Sequence, residues 1–217
     1  MPDFTLEQDF GQQEGRIVIG LDEAGRGPWA GPVVAAAAWL DPGRLDPALA
    51  EGLDDSKKLT ARRRDALFAV LNDPACPFAV VAVGEASVAE IDNLNILQAS
   101  LLAMQRAAEA LATALGAARL PQAALVDGNK LPQLSCEARA VVKGDSRSLS
   151  IAAASVVAKV TRDRAMAAHA RAFPGYGWER NQGYGTAEHR AGIARLGITP
   201  LHRRSFRPVR EALSLTS

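Results

Sequence analysis

The stretch from Arg16 to Trp39 constrains this chain most. Two apolar runs, RIVIGLD (Arg16 to Asp22) and PVVAAAAW (Pro32 to Trp39), are separated only by EAGRGPWAG. Short β-branched runs bounded by Gly and Pro read as strands, and the link between these two is too broken to hold a helix. The two strands are therefore expected to be neighbours in an antiparallel arrangement. This pairing bears on Gly25-Arg26-Gly27-Pro28-Trp29-Ala30, which fits the G-x-G-x-x-A pattern of a dinucleotide-binding loop. That reading requires a helix where Pro32 to Trp39 forms a strand. Asp41, the next acid past that strand, also comes too early, and Asp22 and Glu23 would set negative charge beside a pyrophosphate. The glycines instead suit a backbone that approaches a ligand closely. A ribose 2′-hydroxyl, both donor and acceptor, matches such a backbone.

Further along, Thr60 caps a helix running to Asn72, and Pro77 to Gly84 forms a third strand. Ser87 opens one long helix to Leu115, with Ile91, Leu94, Leu101, Leu102 and Leu111 at helical spacings. Ala123 to Asp127 and Arg139 to Lys143 are the fourth and fifth strands. Helices follow over Ser150 to Ala172, Thr186 to Leu196 and Pro208 to Leu213. Early strands with short connections predict an antiparallel part, and the later strand-helix-strand passage predicts a parallel part. The expected fold is thus α/β, a mixed five-stranded sheet flanked by helices. Met1 to Gln13, polar and without a period, read as loose.

The 217 residues suit one domain with a small appendage, and 48% apolar with 23% charged residues is an ordinary globular mixture. There is no signal-peptide pattern and no apolar run of membrane-spanning length. Cys76 and Cys136 are too few and too far apart for a disulfide framework or a zinc site. Together these features predict a cytoplasmic protein. Net charge is only +1, but it is unevenly spread. Met1 to Asp55 holds three basic and eleven acidic residues, and Arg180 to Arg210 holds seven arginines against Glu188 alone. One pole for cations and one for an anionic partner fits this asymmetry, and so do two solvated surfaces.

Three acidic groups stand at strand ends: Asp22-Glu23, Asp127 and Asp145. Sites in sheets with a parallel part gather beyond the carboxyl ends of strands, so the three could share one crevice. Clustered carboxylates repel, and hard oxygen ligands suit Mg²⁺ or Mn²⁺ in phosphoryl chemistry. Taken singly, Asp127 or Asp145 reads as a turn or cap residue. Ser56 and Lys57 fit a phosphate-holding helix start or a plain capped one. Tyr184 fits a stacking platform or the edge of the core. The patch His202-Arg203-Arg204-Ser205-Phe206 fits a nucleic-acid contact or an anchor for the tail. His169 and His189, both on helices, read as structural or solvated.

At these residues the chain resembles bacterial ribonuclease HII over nearly its whole length. The matching segments are GLDEAGRGPWAGPVVAAA, DSKKLT, IDNLNILQAS, VDGN, KGDSRSLSIAAASVVAKVTRD, GYGTAEH and HRRSF. The resemblance implies a ribonuclease H-like catalytic domain over residues 15–180, after a flexible segment 1–14. Residues 181–217 would form a small helical region completing the substrate site. It implies that Asp22, Glu23, Asp127 and Asp145 bind divalent metal, Mn²⁺ or Mg²⁺, and are catalytic. Asp22 would be shared by two ions, with Glu23 and Asp127 on the leaving-group side and Asp145 on the nucleophile side. Gly25, Arg26 and Gly27 would read the 2′-hydroxyl, Tyr184 would stack on the sugar, and Ser56, Lys57 and Lys143 would face substrate. The implied substrates are RNA–DNA hybrids and duplex DNA containing ribonucleotides, cut to 5′-phosphate and 3′-hydroxyl ends. A monomer is expected, with no membrane partner and no sliding-clamp peptide of the Q-x-x-Φ-x-x-F-F type. Two other readings remain at this level: a non-catalytic nucleic-acid-binding module, and a different phosphoryl-transfer enzyme on the same fold.

Overall fold

The computed structural model describes residues 1–54, 56 and 59–214. Five strands form one sheet in the order β3-β2-β1-β4-β5. They are β1 (Val18–Ala24), β2 (Val33–Leu40), β3 (Ala79–Ala86), β4 (Ala123–Asp127) and β5 (Glu137–Val141). β1 pairs antiparallel with β2, and β2 with β3, whereas β4 runs parallel to both β1 and β5. The mixed sheet expected from the short early connections is thus the one formed.

Nine helices accompany the sheet among the described residues: α1 (Thr5–Asp9), α2 (Pro47–Gly52), α3 (Ala61–Leu71), α4 (Val88–Leu94), α5 (Ile96–Leu115), α6 (Leu149–Ala172), α7 (Trp178–Asn181), α8 (Ala187–Leu196) and α9 (Arg207–Ser214). Every residue of β2 is buried, because the sheet is covered on both faces. Ala35 and Ala37 pack with Ala99, Ala103 and Ala107 of α5. Ala36, Ala38 and Leu40 pack with Ala152, Ala153 and Val156 of α6. Alternate residues serve opposite faces, as the strand period requires. Gly20 is needed for the close approach of α6, since a Cβ there would overlap the Ser150 and Ile151 backbone.

Among the helices and at the chain's two ends, the structure differs from the sequence-based expectation in three places. The stretch from Ser87 to Leu115 is two helices, broken at Asn95, whose φ is 74°. The Asn95 side chain accepts the Leu97 and Gln98 amides at 3.0 and 3.2 Å, starting α5 afresh. The N-terminal segment is folded rather than loose. Phe10 is buried, and Glu7, fully buried, accepts from the Ser148 and Ser150 hydroxyls at 2.6 and 2.7 Å. Finally, the boundary expected at residue 180 falls inside α7, although the expected helical C-terminal region is present. Trp178, Tyr176 and Ile193 share a core with Ala30 and Met166.

Candidate active site at the strand ends

β1 carries Asp22 and Glu23 to its carboxyl end, and their side chains leave opposite faces of the sheet. On the α6 side, Asp22 is almost fully buried and interacts with the Ser155 hydroxyl. The parallel register sets Leu21 beside Val126, so Asp127, the next residue of β4, reaches the same end. Burial, then the charges of Glu23 and Asp127, push the Asp22 carboxyl well above the usual carboxylate range. Asp127 accepts the Gly144 amide at 2.7 Å, which ties it to the turn Gly144–Ser146 that holds buried Asp145. Lys143 enters that turn with φ 55°, beyond the end of β5 and exposed. The fifth strand therefore ends before the expected Lys143, and the turn rather than the strand presents Asp145.

A cavity of about 230 Å³ opens beside Asp22 and Glu23. Gly25, Arg26 and Gly27 line it, together with Ser56 and Tyr184, so it gathers most of the residues expected to meet substrate. Arg26 pairs with Glu23 at 3.3 Å. Tyr184 is half exposed, and its ring lies 3.3 Å from where a Gly27 Cβ would stand. Buried Ser56 accepts from Ser155 at 2.9 Å, which leaves it as part of the wall. Lys57 lies outside the described residues.

Three polar residues of α6 were not singled out by the sequence reading: Ser155, Lys159 and Arg162, all lining the cavity. Their spacing of four and three residues in an Ala- and Val-rich helix was the signal that could have found them. Lys159 brings a cation to the wall and is paired with Asp163 at 2.7 Å. The two roles open to the HRRSF patch are now distinguished for Arg203, which is fully buried and hydrogen-bonded to backbone. His189 and His202 are structural: their Nε2 atoms lie 3.1 Å apart, and His189 Nδ1 is 3.0 Å from the Tyr184 carbonyl.

Among the described residues, no group of three or more His, Cys, Asp or Glu side chains is drawn together closely enough to hold a metal ion. Asp22 and Glu23 line the open cavity, and Glu23 and Asp127 line a smaller one; such open acids suit an ion that keeps several waters and meets substrate phosphate. The donor chemistry fits a hard divalent cation, because Asp22 is buried against two other carboxylates with no lysine or arginine among the causes of its shift.

A mixed sheet in this order, with helices on both faces and acids at the carboxyl strand ends, is a ribonuclease H-like fold. The sequence pattern of the family Ribonuclease HII matches residues 19–209. A Ribonuclease HII from Rhodospirillum rubrum is 61% identical over 215 residues, covering 99% of this chain and 93% of the relative. The ribonuclease H2 structure from Pyrococcus horikoshii aligns with a TM-score of 0.67 at 26% identity, covering 91% of this chain and 97% of that one. A Bst-RNase HIII structure in complex with Mn²⁺ aligns with a TM-score of 0.71 at 22% identity, over 93% of this chain and 70% of that one, and shows the shared fold. The chain belongs to the ribonuclease HII family: it is a type 2 ribonuclease H, a metal-dependent endoribonuclease acting on RNA–DNA hybrids.

Proposed function

We propose that this chain also cuts duplex DNA on the 5′ side of embedded ribonucleotides, by two-metal hydrolysis leaving 5′-phosphate and 3′-hydroxyl ends. The observation that carries the reading is the placement of buried Asp22, with Glu23 and Asp127 raising its proton affinity, in the wall shared with Gly25, Arg26 and Gly27. In this reading Asp22 would hold both ions, Glu23 and Asp127 would serve the leaving-group side, and Asp145 the nucleophile side. Bound there, Mg²⁺ or Mn²⁺ would activate a water and stabilise the departing oxygen. Arg26 lines the cavity and is held near Glu23. Tyr184 offers an exposed ring for a sugar face, and Lys143 an exposed ammonium for a flanking phosphate. Nucleic acid is the macromolecular partner, and one chain is the acting unit.

The test uses matched duplexes with zero, one and several ribonucleotides, each with Mg²⁺, with Mn²⁺ and with chelator. The reading expects metal-dependent cuts 5′ of the single ribonucleotide and none in the all-DNA duplex. An intact single-ribonucleotide duplex in both metals would sink it.

A further inference from the structure

Two arginines are buried side by side behind the Gly25–Gly27 loop. Arg162 of α6 and Arg203 are 1% and 0% exposed. Among the described residues neither has a carboxylate within ion-pair distance. Burial depresses both, Arg162 to about 10 and Arg203, which Arg162 also repels, to about 9. Both remain cations at neutral pH. Buried charge is costly unless it is hydrogen-bonded, and here backbone carbonyls do all of that work.

Arg162 donates to the carbonyls of Ala30, Pro32 and Gln182 at 3.2, 3.1 and 3.0 Å. Arg203 donates to those of Gly25, Arg26, Gly31 and Pro32 at 2.6, 3.0, 2.9 and 3.1 Å. The peptide bonds here are trans. In a trans peptide, C=O and N–H point to opposite sides of the chain. Turning the Gly25 carbonyl inward therefore turns the Arg26 amide outward, and the Arg26 carbonyl does the same for the Gly27 amide. Neither amide has a protein acceptor among the described residues. Pro28 adds no donor to the next peptide.

We infer that Arg203 is a positioning residue for ribose recognition: its planar fork grips the Gly25 and Arg26 carbonyls and thereby aims the Arg26 and Gly27 amides at the substrate. Arg162 fixes the following turn in the same way. The inference rests on the proposed reading that Gly25–Gly27 sense the 2′-hydroxyl. It also gives the C-terminal region a role in specificity, because that region supplies the clamp. A lysine at 203 keeps the charge but loses the fork.

The experiment measures duplex affinity, with and without one ribonucleotide, on an Asp22→Asn background so that nothing is cut. One lost hydrogen bond to the 2′-hydroxyl corresponds to ~10-fold in affinity. The Asp22→Asn parent is expected to prefer the ribonucleotide duplex by about that factor, and adding Arg203→Lys is expected to reduce the preference below ~3-fold. If Arg203→Lys weakens both duplexes equally and keeps the preference, the positioning role is overturned while the 2′-hydroxyl reading stands. If the parent itself shows no preference, the 2′-hydroxyl reading fails and this inference with it. Should Arg203→Lys not fold, amide exchange in the unsubstituted chain decides. Residues 25–31 and 199–206 are expected to open together, and a loop that exchanges freely beside a protected 199–206 would overturn the clamp.

Discussion

The Asp127 carboxylate accepts the backbone amide of Gly144 at 2.7 Å, so one acid of the crevice fixes the turn that presents the next acid, Asp145. The two carboxylates are therefore not independent. Asp127→Asn keeps an oxygen for the Gly144 amide and loses the charge, whereas Asp127→Ala loses both. We expect both variants to lose cleavage. Only the alanine variant should also lose stability, by ~1 kcal/mol for the broken bond. Urea unfolding of the two proteins checks this, and equal midpoints would contradict the coupling.

Glu7 makes a second prediction. Its Oε1 accepts the Ser150 amide at 2.9 Å besides the two serine hydroxyls, at the start of the helix that carries Ser155, Lys159 and Arg162. Glu7→Leu would leave these donors unpaired at a buried helix terminus. The expected cost is roughly 2–4 kcal/mol, since each buried donor left unpaired costs about 1–3 kcal/mol. A stability change within experimental error would show that the N-terminal segment does not hold α6.

The histidine pair predicts a dependence on pH. His202 Nδ1 accepts the Thr199 amide at 2.9 Å, and His189 Nε2 accepts from Trp178 at 3.0 Å. Burial lowers both imidazoles, and His202, which His189 also repels, falls to about 4. The unfolded chain takes up protons below the ordinary histidine value of 6.5, while the folded chain resists until about 4. The His202 contribution is therefore full above 6.5 and declines as pH falls toward 4, by up to ~1.4 kcal/mol per pH unit, and His189 acts in the same direction. Unfolding free energies at pH 7.5 and 5.0 should drop less in His202→Asn than in the unsubstituted protein. Equal drops would contradict the account.

These particulars show what the sequence could reveal. The β1–β2 pair was readable because strand alternation is local and the Gly- and Pro-rich link excludes a helix. Asp127 was readable as a strand-end acid, although its grip on Gly144 was not. The break at Asn95 was hidden, because leucines at helical spacing run straight through it, and only a positive φ and a side-chain cap mark it. Glu7 lay in the segment read as loose, since its partners lie 141 and 143 positions away. For the patch that holds Arg203 the sequence left a nucleic-acid contact and an anchor for the tail both open, because its acceptors are backbone carbonyls, which no residue type announces.

In the proposed mechanism Asp22 works as a metal-holding acid and not as part of the framework. Its carboxyl is buried among like charges, so a neutral asparagine of the same shape should fold at least as well. The most direct measurement compares the unsubstituted chain with Asp22→Asn on one duplex carrying a single ribonucleotide, following cleavage in Mn²⁺ and binding in the same buffer. The account predicts that cleavage disappears while affinity for the duplex changes little. Cleavage that survives in Asp22→Asn at the rate of the unsubstituted chain would contradict it.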